Sequence, residues 1–239
     1  MKLNSLAIIP ARKNSKGIKN KNLIKIKSKS LIEIAFQEAK KSKYIQHLIF
    51  STDCLKMKKI ANKNSIKTYS IRPKKLSTDK ANIFQVLEYE TSYFEREHDI
   101  KIDYVILLQP TTPFRTYKII DDTLKHFQKN YKTCDSLITI TDLDYPLNWN
   151  LKIKKNYIRN VFKNGNKITR RQETGKYFKP NGMVYVVKRK ILKSLNKKIL
   201  PTNKTLFYFI NKDISVNIDN HRDFLLAKLI QKEKRIQNL

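Results

Sequence analysis

Short apolar runs and amphipathic segments take turns along the first 141 residues. Four runs have the length and continuous apolar character of buried strands, namely Leu6–Ile9, Leu48–Phe50, Tyr104–Leu108 and Ser136–Ile140. Between them apolar residues recur at helical spacing, first after Ser30, which we expect to cap a helix. The resulting order, β-α-β-α-α-β-α-β, predicts an α/β fold with a mostly parallel, Rossmann-like sheet and helices on both faces.

The pattern changes after Asp142. Apolar and polar residues alternate across 146–162 around Lys155, which predicts a β hairpin outside the α/β order. Beyond it, the run Leu206–Ile210 predicts one more strand, and the spacing of the leucines from Leu225 predicts a closing helix. The segment that follows Asp142 therefore interrupts the α/β domain, which resumes further along the chain.

Charge and composition limit the classes of protein to which this sequence can belong. The 239 residues carry a net charge of +31, which invites a nucleic-acid interpretation. Only 10 of the 51 basic residues are arginine and the lysines lie along every segment, so we expect weak non-specific binding rather than a dedicated interface. Two cysteines and four scattered histidines predict neither a disulfide framework nor a zinc site. Without a signal-like or membrane-length apolar run, a cytoplasmic location is expected.

The strongest chemical signal is the segment from Ser5 to Asn22. A buried strand ends at Pro10 and leads into a polar turn with the cations Arg12, Lys13, Lys16, Lys19 and Lys21. A strand followed by a basic loop and a helix is a common way to bind phosphate groups. The glycine spacing excludes the usual ATP/GTP loop and the dinucleotide fingerprint, so the cations would hold the anion. A solvated basic loop is the alternative.

Several segments together resemble one family. Pro10-Ala11-Arg12, Ser15-Lys16-Gly17, Lys21-Asn22, Gln109–Arg115, Lys179–Tyr185 and Asn217–Phe224 match, in order, motifs of the acylneuraminate cytidylyltransferases, including the CMP-legionaminic and CMP-pseudaminic acid synthetases. This resemblance implies a nucleotidyltransferase sheet and a reaction of CTP with a nine-carbon sugar acid that gives CMP-sugar and pyrophosphate.

The resemblance also implies roles for individual residues. Phosphate-neutralising catalytic residues would be Arg12, Lys16 and Lys21; nucleotide contacts would be Ala11, Arg12, Ser15, Asn22, Arg72 and Asn82; sugar contacts would be Gln109, Arg171, Lys179, Asn181 and Tyr185; and Asp219 with Asn217 would bind Mg²⁺ or Mn²⁺. From the residues alone, alternatives without a role in binding are equally good. Asp79 suits a helix cap, Tyr185 suits a core aromatic position, and Arg171 suits an ordinary surface charge. Alternation on a strand is expected to place residues 217 and 219 on one face.

The chain departs from the family pattern at the metal site. Asn217 stands where an aspartate is usual, and an amide is a weaker, neutral ligand. A nucleotide-binding but catalytically impaired relative is therefore one alternative function, and a basic nucleic-acid-binding protein is another. The sequence identifies no general base.

The resemblance gives the interrupting stretch a role. Residues 142–180 would form a dimerisation arm inserted between 1–141 and 181–239, which together make the α/β domain. The arm would pack on a second subunit of a homodimer and bring Arg171 to that subunit's site. No membrane and no specific nucleic acid are expected as partners.

Overall fold

The computed structural model describes residues 3–69, 71–162, 167, 170, 175–197 and 200–233. Its strands are β1 (Ser5–Pro10), β2 (Lys25–Ile26), β3 (Lys29–Ser30), β4 (His47–Ser51), β5 (Tyr104–Leu107), β6 (Ser136–Asp142), β7 (Leu151–Lys154), β8 (Tyr157–Asn160), β9 (Phe178–Lys188) and β10 (Thr205–Phe209). Its α-helices are α1 (Leu31–Lys41), α2 (Leu55–Lys63), α3 (Ile83–His98), α4 (Tyr117–Lys129), α5 (Arg189–Leu192) and α6 (His221–Lys232). The other predicted strands and helices are present, with ends shifted by a few residues, but the strand expected around residues 217 and 219 is not.

A six-stranded sheet in the order β10-β6-β9-β5-β1-β4 forms the centre of the molecule. β1 pairs in parallel with β4 and β5, and β10 pairs in parallel with β6. β9 is antiparallel to both of its neighbours, β5 and β6, so five strands point one way and one points back. The mostly parallel sheet predicted from the element order is thus confirmed, with a reversed strand near its middle.

Buried side chains cover both faces of the sheet. On one face Ile32, Phe36, Met57 and Leu124, from α1, α2 and α4, pack against the strands. On the other face the strands are covered by side chains of α3, together with Leu192 and Leu195. Helices on both faces were predicted, and they explain why the central strands are apolar throughout. Within the described residues no helix has the length and apolar character needed to cross a bilayer.

β9 corrects one expectation. In the run Lys179–Tyr185 the pair Asn181-Gly182 is typical of a turn that leads into a strand, but the whole run lies within one continuous strand. The register shifts opposite Thr139, and Gly182 adopts φ +79° there, a conformation that favours glycine. The sequence signal for a turn was therefore the glycine of a bulge.

The hairpin prediction is confirmed by β7 and β8, which pair with each other in a separate two-stranded sheet. Lys155, at the tip, has φ +56°. β9 begins at Phe178, before the predicted end of the insertion at residue 180. The division into domain and arm stays a prediction.

Arg115 is fully buried at the end of the segment that follows β5. Its Nη1 lies 2.7 Å from the carbonyl oxygen of Gln109, 2.8 Å from Thr112 Oγ1 and 3.0 Å from the carbonyl oxygen of Met183. Burial lowers the pKa of Arg115 to about 9, so the guanidinium is still charged at neutral pH. The side chain thus ties the loop after β5 to the bulge of β9, while Thr116 caps α4.

We predict that Arg115→Met destabilises the protein by about 3 kcal/mol, because it leaves buried carbonyls without a donor. Urea unfolding followed by circular dichroism measures this. Arg96→Met is the control, since Arg96 is exposed on α3. Equal midpoints for the two variants would show that the buried guanidinium contributes nothing net.

Candidate functional site

A cleft of about 490 Å³ opens at the carboxyl ends of β1 and β5, where open α/β sheets bind ligands. Its walls come from the basic loop after β1, the segment before α3, the loop after β5 and the segment before α6. The lining includes the predicted residues Arg12, Ser15, Lys16, Lys21, Asn22, Arg72, Gln109 and Asp219, together with Thr78, Asp79 and Thr111. Four segments that are far apart in sequence therefore meet in one cavity.

The basic loop is fixed by polar contacts at its start. Ala11 N–H donates to the carbonyl oxygen of Ser51 at 2.9 Å, and Lys13 N–H donates to Asp53 Oδ1 at 2.6 Å. The buried Asn22 side chain donates to the carbonyl oxygen of Arg12 at 3.2 Å. Ala11 and Asn22 thus hold the loop's backbone, while Arg12, Lys16 and Lys21 line the cleft. This favours an anion site over a loop that is merely solvated.

Two carboxylates meet these cations across the cleft. Asp79 pairs with Arg12 and with Lys16, whose Nζ lies 3.2 Å away, and Lys21 Nζ lies 2.8 Å from Asp219 Oδ1. The hydrogen bond from Arg12 is the main cause of the lowered pKa of Asp79. A cluster of Arg12, Lys16 and Lys21 with these partners suits exchange with a polyphosphate.

Asn82, and not Asp79, caps α3. Asn82 Oδ1 accepts from Phe84 N–H at 2.9 Å, and its Nδ2 donates to the carbonyl oxygen of Leu195 at 3.2 Å. The cap interpretation of Asp79 is therefore wrong. Ala81 and Ile83 line the cleft, whereas Asn82 does not, so the structure gives its side chain a role in the helix start.

The segment before α6 approaches the basic loop very closely. A Cβ added to Gly17 would lie 1.9 Å from the carbonyl oxygen of Asp219. Contrary to the sequence expectation, residues 216–219 are not a strand, although Val216 and Ile218 are buried and Asn217 and Asp219 share the opposite side. The amide of Ile218 donates to the carbonyl oxygen of Thr111 at 2.8 Å and fixes this arrangement.

Asn217 and Asp219 are joined directly. Asn217 Nδ2 donates to Asp219 Oδ2 at 2.7 Å, while Asn217 Oδ1 is buried and has no partner in the described part of the chain. The two side chains are thus in contact, and Asn217 Oδ1 is an oxygen of the kind that Mg²⁺ binds. Among the described residues no group of three His, Cys, Asp or Glu side chains is placed to hold a metal ion.

Among the described residues, the predicted sugar contacts Lys179, Asn181 and Tyr185 do not line this cleft. Asn181 is buried under the β9 bulge, where it accepts from Thr139 Oγ1 at 2.6 Å and donates to Ser215 Oγ at 3.0 Å. Lys179 forms a salt bridge of 2.6 Å with Asp144. Tyr185 packs against the core cluster beneath α3, as the core alternative required, and burial raises its pKa. Arg171 lies outside the described residues.

Sequence reasoning missed Thr78 and Thr111, and it gave Asp79 no site role. Thr111 stands in a polar run directly after a buried strand, a signal that was available. Asp79 and Thr78 carry no such signal, because only the tertiary approach of the loop before α3 brings them to Arg12.

A central α/β sheet with a basic loop after its first strand and an acidic residue facing that loop defines a nucleotide-binding protein of the nucleotidyltransferase type. The chain belongs to the cytidylyltransferase family, whose sequence model matches residues 6–236.

Relatives agree with this membership. The chain is 29% identical over its whole length to an N-acylneuraminate cytidylyltransferase of Escherichia coli O18:K1:H7, and it spans 55% of that relative. It is 30% identical to the post-translational flagellin modification protein B of Campylobacter coli, with 97% of both chains covered. It is also 26% identical to a CMP-N,N'-diacetyllegionaminic acid synthase of Legionella pneumophila, with 93% of this chain and 94% of the relative covered.

Solved structures share the fold. A CMP:2-keto-3-deoxy-manno-octonic acid synthetase complexed with CTP superimposes with a TM-score of 0.68 at 14% identity, over 96% of this chain and 100% of the other. A cytidylyltransferase of Leptospira borgpetersenii gives a TM-score of 0.60 at 17% identity, over 95% and 85% of the two chains.

We predict that Gly17→Ala lowers kcat/KM at least about thirtyfold, since the methyl group displaces Asp219 from Lys21. Steady-state kinetics measures the loss, and the melting temperature should change little because the loop is exposed. Gly175→Ala is the matched control, because its Cβ would meet Tyr177 at an ordinary 3.5 Å. Unchanged kinetics in Gly17→Ala would argue against the contact between the two segments.

Proposed function

We propose that this protein transfers the cytidylyl group of CTP to a nonulosonic, sialic-type sugar acid and releases pyrophosphate. The observation that carries the proposal is the convergence of Arg12, Lys16 and Lys21 on one cleft opposite Asp219. The family membership supports the nucleotide. The names of the relatives support a sugar acid of the neuraminic, legionaminic or pseudaminic type.

The chemistry follows from the charges in the cleft. The anomeric hydroxyl of the sugar acid attacks the α-phosphorus in line, an O–P bond forms, and the bond from the α-phosphorus to the bridging oxygen breaks. Negative charge grows on the leaving pyrophosphate, where Arg12, Lys16 and Lys21 stabilise it. When the triphosphate enters, Arg12 and Lys16 exchange the carboxylate of Asp79 for phosphate oxygens. Gln109, which lines the same cleft, is proposed to face the sugar.

Mg²⁺ or Mn²⁺ is the proposed cofactor. Asp219 would hold the ion with its carboxylate, and Asn217 with its amide oxygen after a rotation of the amide, which now presents Nδ2 to that carboxylate. The bound ion would offset the charge of the phosphates. Lys21 contacts the same carboxylate, so the ion and the lysine would share Asp219.

A homodimer is proposed from exposed apolar side chains of the arm and of the edge strand β10. Ile153 is 82% exposed and Ile158 63% on the hairpin, and Phe207 is 62% exposed on β10. Exposed apolar side chains of this size are typical of an interface when they lie together. The proposal includes Arg171 and Lys179 as arm residues that act near the sugar of the neighbouring subunit.

The free buried thiols of Cys54 and Cys134 fit the proposed cytoplasmic location.

We expect pyrophosphate release from CTP and Mg²⁺ with one acid of a panel of neuraminic, legionaminic, pseudaminic and 2-keto-3-deoxy-octonic acids, and little release from UTP or ATP. A coupled phosphate assay measures it, and Lys21→Ala should lose well over tenfold in kcat/KM. CTP binding without turnover on any acid would instead support an impaired relative. Affinity for RNA with a steep salt dependence, and none for CTP, would support a nucleic-acid-binding protein.

We predict that Asn217→Asp keeps or raises the activity and lowers the Mg²⁺ concentration needed for half-maximal rate, because a second carboxylate is a stronger ligand. A magnesium titration of the initial rate measures this. Asn211→Asp is the control, since it adds the same charge to an exposed site on the same segment. A large loss in Asn217→Asp would show that the amide itself is required.

A further inference from the structure

Glu90 is a buried carboxylate for which the proposed reaction has no use. It lies on the inner face of α3, between apolar residues such as Leu87 and Phe94, and is 2% exposed. Burial raises its pKa, which reflects the cost of placing a carboxylate there. A charge in such a position requires a compensating partner.

The compensating partner of Glu90 is Arg72, and Ser51, at the end of β4, links the two side chains. Ser51 Oγ donates to Glu90 Oε1 at 2.5 Å, and Arg72 Nε donates to Ser51 Oγ at 3.0 Å. A hydroxyl has one hydrogen, and Ser51 gives it to Glu90, so its lone pairs are left for Arg72. The chain of hydrogen bonds therefore runs in one direction, from arginine through serine to glutamate.

Arg72 is held both by its guanidinium group and by its backbone. Its Nη2 donates to the carbonyl oxygen of Ser51, and its backbone N–H donates to the carbonyl oxygen of Thr52 at 2.8 Å. The residue is 4% exposed, yet it lines the cleft, and in the described part of the chain its Nη1 has no hydrogen-bond partner. Burial lowers the pKa of Arg72, and the charge of Glu90 is the first influence that opposes this.

We propose that Glu90 is a positioning residue that fixes the guanidinium of Arg72, through Ser51, towards the base of the nucleotide. The inference rests on the proposed function. An N–H donor at Nη1 matches N3 of cytosine, which is an acceptor, whereas N3 of uracil carries a hydrogen. A guanidinium that is held rigidly discriminates between the two bases, and one that is free to turn does so less.

Calorimetric binding of CTP and UTP, without any sugar acid, tests this. Glu90→Gln removes the charge with little change of shape and should weaken CTP binding by about tenfold, with a smaller loss for UTP. Ser51→Ala keeps both charges and removes only the link, so it should reproduce the loss of CTP preference. If Glu90→Gln does not fold, the Ser51→Ala variant alone tests the positioning role. Glu88→Gln is the matched control, because Glu88 is on the same helix but pairs with Arg189.

A double variant separates positioning from general stability. In an Arg72→Met background, Glu90→Gln should weaken CTP binding no further, since there is no guanidinium to orient. Additive losses, or a Glu90→Gln protein with the wild-type preference for CTP, would overturn the inference while leaving the proposed function intact. A wild-type protein that does not bind CTP would overturn both.

Discussion

The bulge in β9 is the point on which the site depends. At this bulge the reversed strand meets three other parts of the chain: Asn181 bonds to Thr139 on β6 and to Ser215 in the segment before α6, and the carbonyl oxygen of Met183 contacts Arg115. The bonds to Thr139 and Arg115 are buried, where an unmade hydrogen bond costs about 1–3 kcal/mol. The loop after β5 and the segment before α6 are thereby placed relative to one sheet.

Asn181 shows how a residue can belong to a family motif without lining the cleft. The resemblance implied that Asn181 contacts the sugar. In the structure its amide group instead forms hydrogen bonds with Thr139, Ser215 and the N–H of Met183. Its effect on the cleft is indirect, because Ser215 lies two residues before Asn217. A substitution here would disturb the position of Asn217 and Asp219 before it disturbed any contact with substrate.

Much of the fold follows from local patterns, and the exceptions have physical causes. The apolar runs predicted the parallel strands, and alternation around Lys155 predicted the hairpin. The reversal of β9 could not be predicted, because an apolar run does not encode its direction. The sequence offered Asp79 as a helix cap, but Asp79 pairs with Arg12, a contact between distant segments that the sequence does not reveal, and Asn82 caps α3. Glu90 was missed because its Ser51 partner is 39 residues away.

The contact between Lys21 and Asp219 spans 198 positions of sequence. During synthesis the amino-terminal loop therefore leaves the ribosome long before its acidic partner exists. Until Asp219 has been made, Lys21 lacks its carboxylate partner, whereas Arg12 and Lys16 can already meet Asp79. The cleft is therefore complete only when the segment before α6, one of the last to leave the ribosome, has folded onto the basic loop.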